Sequence, residues 1–197
     1  IDWTDCWQAW TPLVLTQDAN RELLAAAYRG EVAVGWIAGL HHGAHDAACA
    51  LLHDGELVVL VEQERISRVK RATYEPPRNA FAAALRHADV AVDDMDVVAL
   101  GTHHGAMSAT LGHAVAEVDF EDPHRLFPGL SGVVRPVLPP LQRFPHHLAH
   151  AASALFAAGT TDAALLVIDG FGDQASASLG LASQGDLQLR TVGDLAN

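Results

Sequence analysis

The sequence predicts a mixed α/β domain, and three observations carry that prediction. Apolar runs of strand length recur at 32–40, 47–53, 57–61, 95–101 and 163–169, with two more near 175–181 and 186–192. Helix-compatible segments at 79–88 and 146–158 fall between them rather than after them. Acidic, glycine-containing turns, Asp54-Gly55 and Gly170-Phe171-Gly172-Asp173, accompany the hairpins. The order strand–hairpin–strand, helix, strand, helix, strand, hairpin describes a sheet with flanking helices.

Each element has a local reason. Residues 1–31 read as an N-terminal extension or docking segment. Trp3, Trp7 and Trp10 cluster there, Pro12 interrupts, and 18–28 suits a short helix. Residues 32–197 form the domain proper. Strands 47–53 and 57–61 flank Asp54-Gly55, a type I′ hairpin signal because both central residues must accept φ > 0. The charged stretch 62–70 suits a helix. After the break at Pro76-Pro77, Asn79 is expected to cap a helix through Ala88, with Phe81, Ala84, Leu85 and Ala88 on one face. Residues 103–144, rich in His, Gly and Pro, read as an extended connection or insertion. The helix 146–158 should end at Gly159, which tolerates the left-handed conformation. Strand 163–169 then meets a glycine-rich turn at 170–173, and the last two strands flank a turn at 182–185.

Composition excludes several classes of function. Twelve Lys+Arg against 24 Asp+Glu give a formal charge of −12. Such a surface repels phosphate backbones and anionic lipid, which argues against nucleic-acid or membrane binding as the main task. No apolar run reaches the roughly 18–20 residues of a membrane span. Asp2 and Asp5 stand where a signal peptide needs basic residues. Cys6 and Cys49 form no CxxC pair and demand no disulfide, so a reducing cytoplasm is the expected location. The chain opens on Ile1 rather than Met, so a lost or processed natural N-terminus is expected.

Twelve histidines include two informative groups. In His146-His147-Leu148-Ala149-His150, positions 146 and 150 are neighbours on one helical face and can present two imidazoles to one metal ion. The strand that follows ends at Asp169, at the edge where α/β folds place chemistry, which makes this carboxylate the third candidate ligand. Mixed N/O donors suit Fe(II), Zn or Mn, and spacing does not choose among them. A zinc-protease motif is excluded, because His147 stands where HExxH needs its glutamate. The second group, His41-His42-Gly43-Ala44-His45-Asp46, opens the first hairpin. It places His45 beside a carboxylate, as a general base would be.

These residues bring a family into view. His45-Asp46-Ala47-Ala48, Ala50-Leu51-Leu52, Asp54-Gly55-Glu56-Leu57 and the run from Val61 to Lys70 resemble the opening of the O-carbamoyltransferases of antibiotic tailoring and nodulation-factor synthesis. His146-His147-Leu148-Ala149-His150-Ala151-Ala152-Ser153-Ala154 matches that family's second motif without a substitution, and Ile168 to Asp173 resembles its V-D-G-x-G-E. The resemblance covers about 34–182. Departures are Cys49 for alanine, Gln63 for glutamate, Arg71 for histidine and Asp173 for glutamate.

The resemblance implies an actin-like, RNase H-like mixed sheet with flanking helices, the first part of a two-lobed transferase domain. It implies His146, His150 and Asp169 as ligands of a divalent metal, iron(II) by family habit, and His45 as general base for the acceptor hydroxyl. Gly170 and Gly172 would lend backbone N–H groups to the carbamoyl adenylate. Lys70, the single lysine, falls on the family's basic position, where it would be structural or pair with an anion. In the family, carbamoyl adenylate is made from carbamoyl phosphate and ATP by a separate adenylate-forming domain, and no segment of these 197 residues resembles it. The expected function is therefore O-carbamoyl transfer to a small-molecule, natural-product hydroxyl. The chain is expected to be incomplete alone and to act with the remainder of its polypeptide or with a partner chain. The rival readings are a non-catalytic interaction subunit and a metal-dependent hydrolase.

Overall fold

The computed structural model describes residues 35–42, 45–102, 123–128, 138–173, 175–183 and 186–194. The expectations for 1–31, for 32–34 and for most of 103–144 lie outside them. The described residues divide into two compact units, one over 35–101, 123–128 and 138–142, the other over Thr102 and 143–194.

The first unit is a five-stranded mixed sheet in the order β3-β2-β1-β4-β5. Strands β1 (Trp36–His41), β2 (Ala48–His53) and β3 (Glu56–Glu62) form an antiparallel meander. Strand β4 (Met95–Leu100) pairs parallel to β1, and β5 (Leu141–Arg143) closes the edge. This is the expected mixed α/β sheet with a flanking helix. The β2–β3 turn is type I′, with Asp54 at φ 51° and Gly55 at φ 83°. Ala38, Leu40, Cys49, Leu51, Val98 and Leu100 are buried, alternating along their strands as a one-sided face requires. Against them packs helix α2 (Arg78–Ala88), through Ala80, Phe81, Ala84 and Leu85. Fully burying a side chain such as Phe81 contributes about 1.5–3 kcal/mol.

Three local expectations need correction. The charged segment is helical only as α1 (Gln63–Ser67); Arg68 at φ 62° stops it, and a 3₁₀ turn follows at Lys70–Ala72. Asn79 does not cap α2, which begins at Arg78 behind Pro77. Proline has no side-chain acceptor, and the Ala80 N–H is satisfied by the buried Gln63 Oε1 at 2.9 Å, an acceptor reaching across from α1. The stretch 103–144 is not only a connection, since it carries helix α3 (Pro123–Leu126) and β5.

The second unit is helix α4 (His146–Ala158) with an antiparallel sheet, β6 (Ala163–Gly172), β7 (Ala175–Ser183) and β8 (Asp186–Asp194). Leu148, Ala151 and Leu155 of the helix pack on Val167, Ala182 and Leu187. Gly159 at φ 62° ends α4 as its sequence requires. The glycine-rich turn is largely strand: Gly172 still pairs with Ala175, and the chain reverses at Asp173, φ 54°. Ile168 pairs with Ala177, so residues 169–171 on β6 face Ser176 alone, a bulge beside the helix start. Among the described residues no helix is long and apolar enough to cross a membrane.

Candidate metal centre

The second unit assembles the site from two elements. In β6, Leu165 and Val167 face the helix and Leu166 and Ile168 face away, so alternation puts Asp169 on the helix side. In α4, one helical turn separates His146 from His150. His146 Nε2 lies 2.9 Å from Asp169 Oδ2 and 2.9 Å from His150 Nε2, and His150 Nε2 lies 3.7 Å from the same carboxylate oxygen. A triangle with these sides has a circumradius of about 1.9 Å, just below the ~2.0–2.2 Å of metal–nitrogen and metal–oxygen bonds. A single ion therefore fits all three donors at once. His146 is largely covered and His150 half-exposed, so solvent or substrate can reach the open side.

Three neighbours fix this geometry. Thr102 Oγ1 stands 3.3 Å from His146 Nδ1; accepting that N–H would hold the tautomer with its lone pair on Nε2. Asp173 Oδ2 accepts the backbone N–H of His146 at 2.8 Å, tying the turn after β6 to the helix start, where a carboxylate also suits the helix dipole. At Gly172 a Cβ would run into the His146 ring and would come within 3.0 Å of His147 Cδ2 and 3.1 Å of Asp169 Oδ2. Gly172 thus has a steric reason to be glycine, whereas a Cβ at Gly170 would meet nothing. Sequence reasoning missed Thr102 and the capping role of Asp173. The signal for the latter was Pro145, which leaves α4 without a cap of its own.

His147, on another face of the helix, is buried, with Nδ1 2.7 Å from Ser178 Oγ. Burial lowers its pKa, helped by His146 and His150 and opposed by Asp169 and Asp173. It anchors the helix to β7.

His45 lies in the first unit, between β1 and β2, and is half-exposed. Its Nδ1 is 2.6 Å from Asp46 Oδ2, and Arg71 Nη2 is 3.6 Å from the same oxygen. Slight burial raises the Asp46 pKa, but the hydrogen bond and charge of His45, with Arg71, outweigh it and hold the carboxyl below its usual range. The basic partner at this turn is Arg71.

With this geometry in place, comparison with known proteins finds partial similarities. The chain is 32% identical over 146 residues to nodulation protein NolNO of Sinorhizobium fredii (strain NBRC 101917 / NGR234). The chain is similar in sequence to part of NolNO. The match covers 71% of this chain but only 21% of NolNO. A second relative, the uncharacterized protein sll1178 of Synechocystis sp. (strain ATCC 27184 / PCC 6803 / Kazusa), is 29% identical over 167 residues, 73% of this chain and 26% of that protein. No family model matches. Among solved structures, YeaZ from Pseudomonas aeruginosa superposes with a TM-score of 0.40 at 19% identity, over 79% of this chain and 64% of that one. The chain spans about a fifth to a quarter of the length of the curated relatives it matches.

Proposed function

We propose that this chain is the acyl-transfer portion of an O-carbamoyltransferase, moving a carbamoyl group from carbamoyl adenylate to the hydroxyl of a small-molecule acceptor. The observation that carries this reading is the convergence of His146, His150 and Asp169 on one ion-sized point in a chain similar to part of NolNO. These three residues would hold a divalent metal, iron(II) in our reading, which when bound supplies Lewis-acid polarisation and orientation. The chain's own part is acid–base chemistry and positioning. His45 takes the proton of the acceptor hydroxyl as its oxygen bonds to the carbamoyl carbon, and the bond from that carbon to the AMP phosphate oxygen breaks. Backbone N–H groups at Gly170 and Gly172 lend donors to the bound adenylate. The adenylate itself comes from carbamoyl phosphate and ATP through a domain or chain beyond these residues.

The test pairs metal content with transfer. His150→Ala should lose most bound metal by elemental analysis while keeping the circular dichroism of the wild type. His45→Ala should keep the metal and lose about 10²–10⁴-fold in transfer from supplied carbamoyl adenylate. Unchanged metal in the first variant rejects the site. Full transfer in the second rejects the base. Hydrolysis of carbamoyl adenylate that no acceptor hydroxyl diverts would favour a metal-dependent hydrolase instead.

A further inference from the structure

The turn that carries His45 is built with more constraint than a surface loop needs. Asp46 sits at φ 58°, a left-handed conformation that costs a non-glycine residue energy and persists only where its surroundings enforce it. Here the enforcement is visible. The Asp46 N–H donates to the Arg71 carbonyl. Arg71 is itself left-handed, at φ 65° and ψ 3°, and its own N–H donates to Glu64 Oε2 at 2.7 Å. On the other side, His41 Nε2 donates to the His45 carbonyl at 3.2 Å. Two strained residues, one on each of two segments, are thus locked against one another.

What the lock delivers is a carboxylate on one particular nitrogen. We propose that Asp46, held by Arg71 and Glu64, is a positioning residue that fixes His45 in the Nδ1–H tautomer and leaves Nε2 as the proton acceptor. The chemistry follows from the partners. An ionised carboxylate only accepts, so the ring nitrogen 2.6 Å from it must carry the hydrogen. The Asp46 carboxyl is held below its ordinary range, so it is ionised at neutral pH. Free imidazole prefers the opposite tautomer, and without Asp46 the lone pair would revert to Nδ1. The inference rests on the reading of His45 as general base, and it adds the apparatus that aims that base.

Two variants separate positioning from folding. Asp46→Gly removes the carboxylate yet suits the left-handed backbone. Asp46→Asn keeps the shape and adds an N–H donor that can drive the ring to the wrong tautomer. The His45 ring nitrogens are read by long-range ¹H–¹⁵N correlation on the full chain, beside transfer from supplied carbamoyl adenylate. Expected are Nδ1–H in the wild type, a shift towards Nε2–H in both variants, and at least a tenfold loss of transfer with metal content unchanged. A wild-type ring already in the Nε2–H form, or a ring unmoved by Asp46→Gly, overturns the positioning role whatever the rates. A tautomer that shifts while transfer stays at the wild-type rate leaves the positioning intact and overturns His45 as the base.

Discussion

Gly172 and Thr102 show how much of a candidate metal site rests on residues outside its three donors. Gly172→Ala puts a methyl group into the His146 ring, so metal affinity should fall at least about tenfold by competition titration. Gly170→Ala, where a Cβ meets nothing, should leave affinity within twofold of the wild type and serves as the control. Thr102→Val removes the acceptor on His146 Nδ1 and should cost about 10–100-fold in affinity. An affinity unmoved by both Gly172→Ala and Thr102→Val would mean that neither neighbour supports the site. Cys49 behaves oppositely, as a residue made inert. Burial pushes its thiol up to about 12 from 9.0. Below pH 9 neither the folded nor the unfolded chain ionises it. Above that, the unfolded chain gives up the proton first, so Cys49 draws stability down as pH rises from 9.0 towards 12. Urea midpoints of wild type and Cys49→Ala should therefore converge with increasing pH across that window. Parallel midpoints would show that the thiol is not protected.

At the scale of elements, the strands and helices with one buried face were legible, and the contacts between elements were not. Strand β2, the type I′ turn and helix α4 with its Gly159 end follow from local pattern, because periodicity and φ > 0 residues act within a few positions. The start of α2 does not. Its cap is Gln63, far back in sequence, and nothing local at Pro77 or Asn79 announces it. Gln63→Leu leaves the buried Ala80 N–H unsatisfied and should destabilise the first unit by about 1–3 kcal/mol in urea unfolding, with metal content unchanged. A neutral result would mean the helix start finds another acceptor. The candidate ligands were legible for a related reason. His146 and His150 are set by helical spacing and Asp169 by strand parity, both local rules, whereas Thr102, Asp173 and the Arg71 lock on Asp46 depend on distant chain.

For the whole molecule, the division into two units predicts a divided response. All three metal donors belong to the second unit, so metal at a hundred times its dissociation constant should stabilise that unit by about 2.7 kcal/mol. Hydrogen exchange should slow across α4 and β6–β8 and stay unchanged in β1–β4. Slowing in β1–β4 alone would place the ion elsewhere. The same unit leaves Leu166, Ile168, Leu179 and Leu181 exposed on the sheet face turned from α4. Ile168→Lys with Leu181→Lys should accordingly raise the solubility limit without altering metal content.

The candidate site also depends on how β6 is counted. Asp169 faces the helix because it is an even number of residues from Leu165 and Val167. Deleting one residue between Ala163 and Ile168 would turn the carboxylate to the opposite side, and deleting two would restore the side but withdraw it by about 6.6 Å. Between Ala163 and Ile168 the number of residues therefore matters to the site as much as their identity. A change of length is tolerated instead before the strand, in the loop that follows Gly159, where it shifts no residue of β6 across the sheet.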